Sequence, residues 1–99
     1  MCIRDSLGTA RLIAGDDAGW DDLNRSLTLA LARGFQEHAA RAYTNLAAMA
    51  IQRKQYSAGS RYLSEGLTYC ERHDLDSWRF YMMAWRGRCL LYTSDAADE

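Results

Sequence analysis

The sequence contains no proline. Nothing in it removes a backbone donor from a helix, which is consistent with helices running unbroken. It has no apolar run approaching the roughly 20 residues that a membrane helix needs, and no signal-peptide core follows Met1. An excess of one charge is missing as well. Twelve basic residues face 13 acidic ones, a net charge of −1, which leaves no electrostatic footprint for nucleic acid or an anionic membrane. Cysteine is scarce: Cys2, Cys70 and Cys89 are odd in number and follow no motif spacing, which excludes a disulfide framework and makes a reducing cytoplasm the expectation. What is present is ordinary for a soluble globular chain. Hydrophobic residues make up 48% and charged residues 25%, a balance that argues against disorder. Ninety-nine residues allow one small domain.

The two ends stand apart. Met1-Cys2-Ile3-Arg4-Asp5-Ser6 back-translates as ATG TGT ATA AGA GAC AGN, and Cys89-Leu90-Leu91-Tyr92-Thr93-Ser94 as TGT CTC TTA TAC ACA TCT. The reverse complement of the second string contains nearly all of the first. Both resemble the transposase adapter used in preparing sequencing libraries, and Asp95-Ala96-Ala97-Asp98-Glu99 reads as its continuation. Residues 1–6 and 89–99 are therefore expected to be translated adapter, poorly ordered or attached only by accident at 1–6 and 93–99, with Leu90–Tyr92 able to extend the last helix. The expected natural segment is 7–88. Its balance is eleven basic residues (the 12 less Arg4) against nine acidic ones (the 13 less Asp5, Asp95, Asp98 and Glu99), a net of +2.

Within 7–88 the period is helical. Tyr43, Leu46, Ala47, Ala50 and Ile51 fall at i, i+3, i+4, i+7 and i+8, and Gly59, Tyr62, Leu63, Gly66, Leu67 and Cys70 repeat that spacing. Trp20, Leu23, Leu27, Ala30 and Leu31 mark an earlier stripe. One apolar stripe per helix is the pattern of helices packing on helices, and no period-two strand competes. Breaks fall at Gly15-Asp16-Asp17-Ala18-Gly19, at Arg33-Gly34 and at His73-Asp74-Leu75-Asp76, with Asp76 a candidate N-cap. These breaks predict a helix tail at 7–14 and helices near 18–33, 36–53, 57–72 and 77–88. The segments also repeat. Trp20 aligns with Tyr56, Arg25 with Arg61, Leu27 with Leu63, Ala30 with Gly66 and Leu31 with Leu67, with an insertion near Gly15–Gly19. Leu7-Gly8 meets Leu46-Ala47, and Gly87 lies one further period along. Two helices every 35–40 residues or so mark a solenoid.

The second unit, Tyr43-x2-Leu46-Ala47-x2-Ala50 followed by Tyr56-x2-Gly59-x3-Leu63-x2-Gly66, resembles the tetratricopeptide pattern of large and small positions. Ala50 replaces the usual tyrosine, and the closing proline is absent. Degenerate repeats with phrases such as Leu7-Gly8-Thr9-Ala10, Ala40-Arg41-Ala42-Tyr43-Thr44-Asn45-Leu46-Ala47 and Asp74-Leu75-Asp76-Ser77-Trp78-Arg79 are similar to the helical region of bacterial ATP-dependent regulators of the LuxR type. The resemblance spans 7–88. It implies an all-α fold of helical hairpins stacked in a right-handed array. It further implies a parent with an ATPase module upstream and a helix-turn-helix DNA reader downstream. Gly59 and Gly66 would then be close-approach positions. Gly66→Leu is expected to overpack, and Gly66→Ala to be neutral or stabilising.

Candidate chemistry is sparse. Cys70-x-x-His73 places two metal ligands on one turn, but structural zinc takes four and His38 lies in another repeat, so a buried thiol beside a helix-end histidine is the reading. Gly15-Asp16-Asp17-Ala18-Gly19 lacks the lysine of a phosphate loop, carries acids that repel phosphate, and lacks calcium-loop spacing, so it reads as a turn. Ser26, Ser60 and Ser64 have no base placed for them, and no cofactor, metal or catalytic group is expected. Trp78, Phe80, Tyr81 and Trp85, interleaved with Arg79, Arg86 and Arg88, read as a helix buried between repeats rather than as a nucleobase stack.

The expected function is that of a non-catalytic scaffold for a protein or peptide partner, with Arg41, Asn45, Tyr81 and Trp85 as candidate contacts. Arg41 and Asn45, four residues apart, face either a partner on the concave side or solvent. Direct nucleic-acid contact and membrane contact are not expected, while self-association through the exposed repeat ends is. Two rival functions remain. One is a stand-alone adaptor or chaperone clamping peptide tails, which needs a groove dense in Lys, Arg and Asn. The other is an effector sensor, which needs a sizeable apolar pocket with a few polar groups; a pocket lined by Tyr43, Tyr81 and Trp85 would favour it.

Overall fold

The structure, a computed structural model, describes residues 8, 10, 11 and 13–98, with side chains as far as Leu91. Among the described residues it is all-helical and has no strand. Residues 8, 10, 11 and 13 are helical, followed by α1 (Ala18–Arg33), α2 (Gln36–Gln52), α3 (Tyr56–Arg72) and α4 (Asp76–Asp98). Consecutive helices pack on each other across connections of two or three residues, which makes each pair antiparallel. Helix α2 lies between α1 and α3, and α4 touches both α3 and α2.

One device ends the helices. Gly15, Gly34, Lys54 and Asp74 adopt left-handed backbone, with φ of 86°, 70°, 63° and 57°. In each case the next residue sends its N–H back to a carbonyl of the last turn. Asp16 donates to Arg11 (2.7 Å), Phe35 to Ala30 (3.0 Å), Gln55 to Ala50 (2.8 Å) and Leu75 to Cys70 (2.9 Å). These are Schellman closures, which satisfy carbonyls that would otherwise lack partners. Glycine meets the positive φ without steric cost at 15 and 34, whereas Lys54 adopts it against the preference of an L-residue.

Helix starts differ in detail from the sequence reading. The Oδ1 of Asp16 accepts from the Ala18 N–H at 3.0 Å, while Asp17, the residue at the cap, makes no capping bond and pairs with Arg53 at 2.6 Å. Asp76 is not an N-cap. It lies inside α4, where a carboxylate in the first turn favours the positive end of the helix dipole.

The closures set the repeat register. The left-handed residues 34, 54 and 74 are twenty apart, so each helix with its turn occupies twenty residues and each hairpin forty. Burial follows that count. Gly19, Leu23, Ser26, Leu27 and Ala30 are the buried set of α1, and Gly59, Leu63, Gly66, Leu67 and Cys70, each forty residues on, are that of α3. The alignment of Trp20 with Tyr56 is thus four residues out of register, and the insertion inferred near Gly15–Gly19 disappears. A four-residue slip keeps nearly the same helix face, so apolar spacing alone does not detect it.

The core is built from leucines on α1 and α3 against alanines on α2. Leu23, Leu46, Leu63 and Met82 are almost fully enclosed, each stabilising by about 1.5–3 kcal/mol. Ala39, Ala40, Ala42, Ala47 and Ala50 are buried on α2, and their small size lets neighbouring helices approach from two sides. A Cβ on Gly59 would lie 2.8 Å from Ile51 Cγ1, and one on Gly66 would lie 2.8 Å from Met82 Sδ and 3.0 Å from Tyr43 Cβ. Both are close-approach sites, as expected. Gly66 is tight enough that alanine, too, must push its neighbours, which revises the expectation that Gly66→Ala is neutral or stabilising.

Helix α4 runs ten residues beyond the expected end at Arg88, to Asp98. No breaker follows Gly87, and Leu90, Leu91, Ala96 and Ala97 suit a helix. Residues 93–98 thus continue the helix in backbone. Nor is residue 88 a packing boundary: Cys89 is buried, and its thiol donates to the Tyr56 carbonyl at 3.7 Å. The expectations for Met1–Ser6 and Glu99 lie outside the described residues.

Candidate interaction cleft

Three of the four candidate contact residues converge. Arg41, Thr44 and Asn45 on α2 and Ser77, Trp78 and Tyr81 on α4 line an open cleft of about 480 Å³. The forty-residue period explains the convergence, since Arg41 and Tyr81 occupy equivalent positions on helices that touch. Trp85 is the equivalent of Asn45 but lies one turn away, lining a separate depression with Ile51, Gln52, Lys54, Tyr56 and Arg88.

The cleft has a fixed floor and an adaptable rim. Thr44 is buried, and its hydroxyl donates to the Ala40 carbonyl at 2.8 Å, which spends its donor inside the helix. Trp78 is half-buried in the core, and Tyr81 meets it edge-on with ring centroids 6.1 Å apart. Tyr81 is half exposed and Arg41 is exposed, so the cleft offers an aromatic wall, a guanidinium and the Asn45 amide. The sequence reading placed Trp78, Phe80, Tyr81 and Trp85 together between repeats. Only Trp78 and Trp85 turn toward the core, whereas Phe80 is exposed, because successive aromatics on a helix fall on different faces. Trp78, Thr44 and Ser77 were not singled out as contacts. The signal that would have found them is the forty-residue period combined with the i, i+3 spacing of Trp78 and Tyr81.

The other candidates resolve individually. Cys70 is buried with its Sγ 4.0 Å from Met82 Sδ, and burial pushes its thiol up while Arg79 partly opposes this. His73 instead hydrogen-bonds Gln36 across 3.2 Å and lies with its ring 4.4 Å from that of Tyr69. Among the described residues no group of three or more His, Cys, Asp or Glu side chains could hold a metal ion. Tyr43 lines a different depression from Tyr81 and Trp85, with Leu31, Glu65, Tyr69 and His73. None of these three depressions brings Tyr43, Tyr81 and Trp85 together. Burial first, and Glu65 next, raise the Tyr43 hydroxyl above its ordinary value. No helix among the described residues is long and apolar enough to cross a membrane.

Comparison with protein-family models, with curated proteins and with solved structures finds no match.

Proposed function

We propose that this chain is a non-catalytic scaffold that binds an extended protein segment in the cleft between α2 and α4. The observation that carries the reading is the meeting of Arg41, Asn45, Trp78 and Tyr81 on one open surface. Arg41 suits a carboxylate in forked geometry, Asn45 suits a peptide group, and the two aromatics suit an apolar side chain. On this reading the helices are tetratricopeptide-like hairpins in a right-handed stack. The antiparallel packing of consecutive helices supports that assignment, whereas a forty-residue period is longer than the about 34 residues of a tetratricopeptide repeat. The LuxR-type resemblance of 7–88 makes the scaffold part of a cytoplasmic regulator, with nucleotide and DNA chemistry residing in other modules.

Peptide display against the immobilised chain tests the cleft. Selected sequences should combine an acidic residue with an apolar one and quench tryptophan fluorescence on binding. Arg41→Ala and Tyr81→Ala should each weaken the selected peptides by roughly tenfold, the size expected of a contact at the centre of an interface. Leu29→Ala, on exposed α1 surface, should leave them unchanged. Peptides whose affinity ignores Arg41 and Tyr81 would refute the assignment.

A further inference from the structure

Tyr43 carries a hydroxyl for which the fold supplies no partner. The residue is only 8% exposed, and its Cβ lies in the seam that Gly66 approaches. Its hydroxyl makes no hydrogen bond among the described residues, although the residue lines a groove of about 520 Å³. Polar groups on side chains this deeply buried ordinarily have partners, so an unmatched one facing a cavity points to a ligand. Leu31 of α1 forms one wall of the groove, α3 forms the other, and Tyr43 of α2 is the floor.

The groups around that hydroxyl are chiefly acceptors. Glu65 accepts only, and it forms no ion pair among the described residues. Burial first, then the charge of Glu65 and the Tyr69 hydroxyl, hold the Tyr43 hydroxyl in its neutral form. The Thr68 hydroxyl is spent donating to the Ser64 carbonyl at 3.0 Å, and His73 Nδ1 is engaged with Gln36 at 3.2 Å. The Tyr69 ring is inclined by 46° to that of Tyr43 with centroids 6.0 Å apart, and His73 packs on it at 4.4 Å. A guest beside Tyr43 is therefore met by a carboxylate, two phenol oxygens and two aromatic rings. An ammonium group suits that set: it has three N–H donors and no acceptor, and aromatic rings attract it. Arg72 lines the groove seven residues after Glu65, about 10 Å further along α3. A second positive charge on the guest is thus disfavoured at that end, while Leu31, 41% exposed, offers apolar surface.

We propose that the groove between α1 and α3 binds a small organic monoamine, its ammonium group against Glu65, Tyr43 and Tyr69 and its apolar part against Leu31. The site is separate from the cleft between α2 and α4 and does not depend on the peptide reading.

Calorimetric titration of the full chain at neutral pH tests it. The probes are 2-phenylethylammonium, its neutral counterpart 2-phenylethanol, the diamine 1,4-diaminobutane, and Nα-acetyl-lysine methylamide. The first should bind saturably at one site and more tightly than the alcohol or the diamine. Glu65→Gln should weaken it by roughly tenfold, the size of a lost charge-assisted bond, and leave the alcohol unchanged. Tyr43→Phe removes a hydroxyl that bonds nothing in the protein, so it should leave the fold intact by circular dichroism and still weaken the amine by about three- to tenfold. Glu71→Gln, on exposed α3 surface outside the groove, should have no effect. The proposal is overturned by absence of saturation up to about 10 mM, by equal binding of amine and alcohol, or by affinity unmoved in Glu65→Gln and Tyr43→Phe. Tighter binding of the lysine derivative would replace the small amine with a lysine side chain of a partner protein.

Discussion

Gly66 and Gly87 receive the same substitution in the same secondary structure with opposite surroundings, so together they isolate what packing contributes. Glycine inside a helix costs about 1 kcal/mol relative to alanine. At Gly87 the new methyl meets nothing within 4 Å, so Gly87→Ala should recover that amount and raise the melting temperature by about 4–8 °C for a domain of this size. At Gly66 the same gain is opposed. The Cβ would stand 2.8 Å from Met82 Sδ, 3.1 Å from Met82 Cε and 3.0 Å from Tyr43 Cβ, against about 3.5–4.0 Å for a relaxed carbon contact. The thioether end of Met82 is flexible, but the side chain is fully enclosed and displaces other core atoms when it moves. The Tyr43 Cβ moves only with the backbone of α2.

Overpacking by one methyl of this kind costs about 1–3 kcal/mol, so Gly66→Ala should range from neutral to about 2 kcal/mol destabilising. Gly66→Leu, which drives a branched chain into the seam of α2, α3 and α4, should cost more than the alanine. The difference between the two alanine variants, about 1–3 kcal/mol, is the quantity to measure. Urea unfolding followed by circular dichroism and tryptophan fluorescence supplies it, provided the two probes coincide and the slopes agree with wild type. Equal stabilisation by both alanines, to within ~0.5 kcal/mol, would mean that Gly66 does not sit in a tight seam. The packing derived for α3 against α2 and α4 would then be wrong.

Other expectations rest on separate features. The Ser26 hydroxyl is fully buried with no hydrogen-bond partner among the described residues, so Ser26→Ala should stabilise by about 1–2 kcal/mol in urea unfolding; a loss would point to a bridging water. Lys54 holds a left-handed φ of 63°, so Lys54→Gly should stabilise by about 0.5–1 kcal/mol although it creates a glycine. Burial raises the Cys70 thiol above its ordinary 9.0 and the Tyr43 and Tyr69 hydroxyls above 10.0. The native state keeps those protons after the unfolded chain has lost them, so stability should decline as pH rises beyond about 9, with no contribution from these groups below it. A melting temperature unchanged between pH 8 and pH 10.5 or so would contradict that linkage. Asp17→Asn, which breaks the exposed ion pair to Arg53, should cost under about 1 kcal/mol, and less in high salt.

What the sequence made legible follows from which physical signal each feature leaves. Helix extents were readable because apolar residues at i, i+4 and i+7, such as Leu23, Leu27 and Ala30, share one face in a helix, and α1 to α3 begin and end within a residue of expectation. The repeat register was not, because Leu27 matches Leu63 and Leu67 equally well by type. Only the left-handed residues at 34, 54 and 74 distinguish the two alignments, and a glycine, a lysine and an aspartate share no side-chain chemistry that advertises a common backbone conformation. That one hidden register decides the site. Counted by forty, Arg41 falls on Tyr81 and Asn45 on Trp85, which turns candidates chosen for separate reasons into equivalent places on two touching helices. The same count sets Gly87 over Ala47, which is buried under α3 while Gly87 is exposed. Exposed Phe80 and Met83 on the outer side of α4 look in the sequence like the inner face of a buried helix, since composition alone does not say which of two apolar sides is covered.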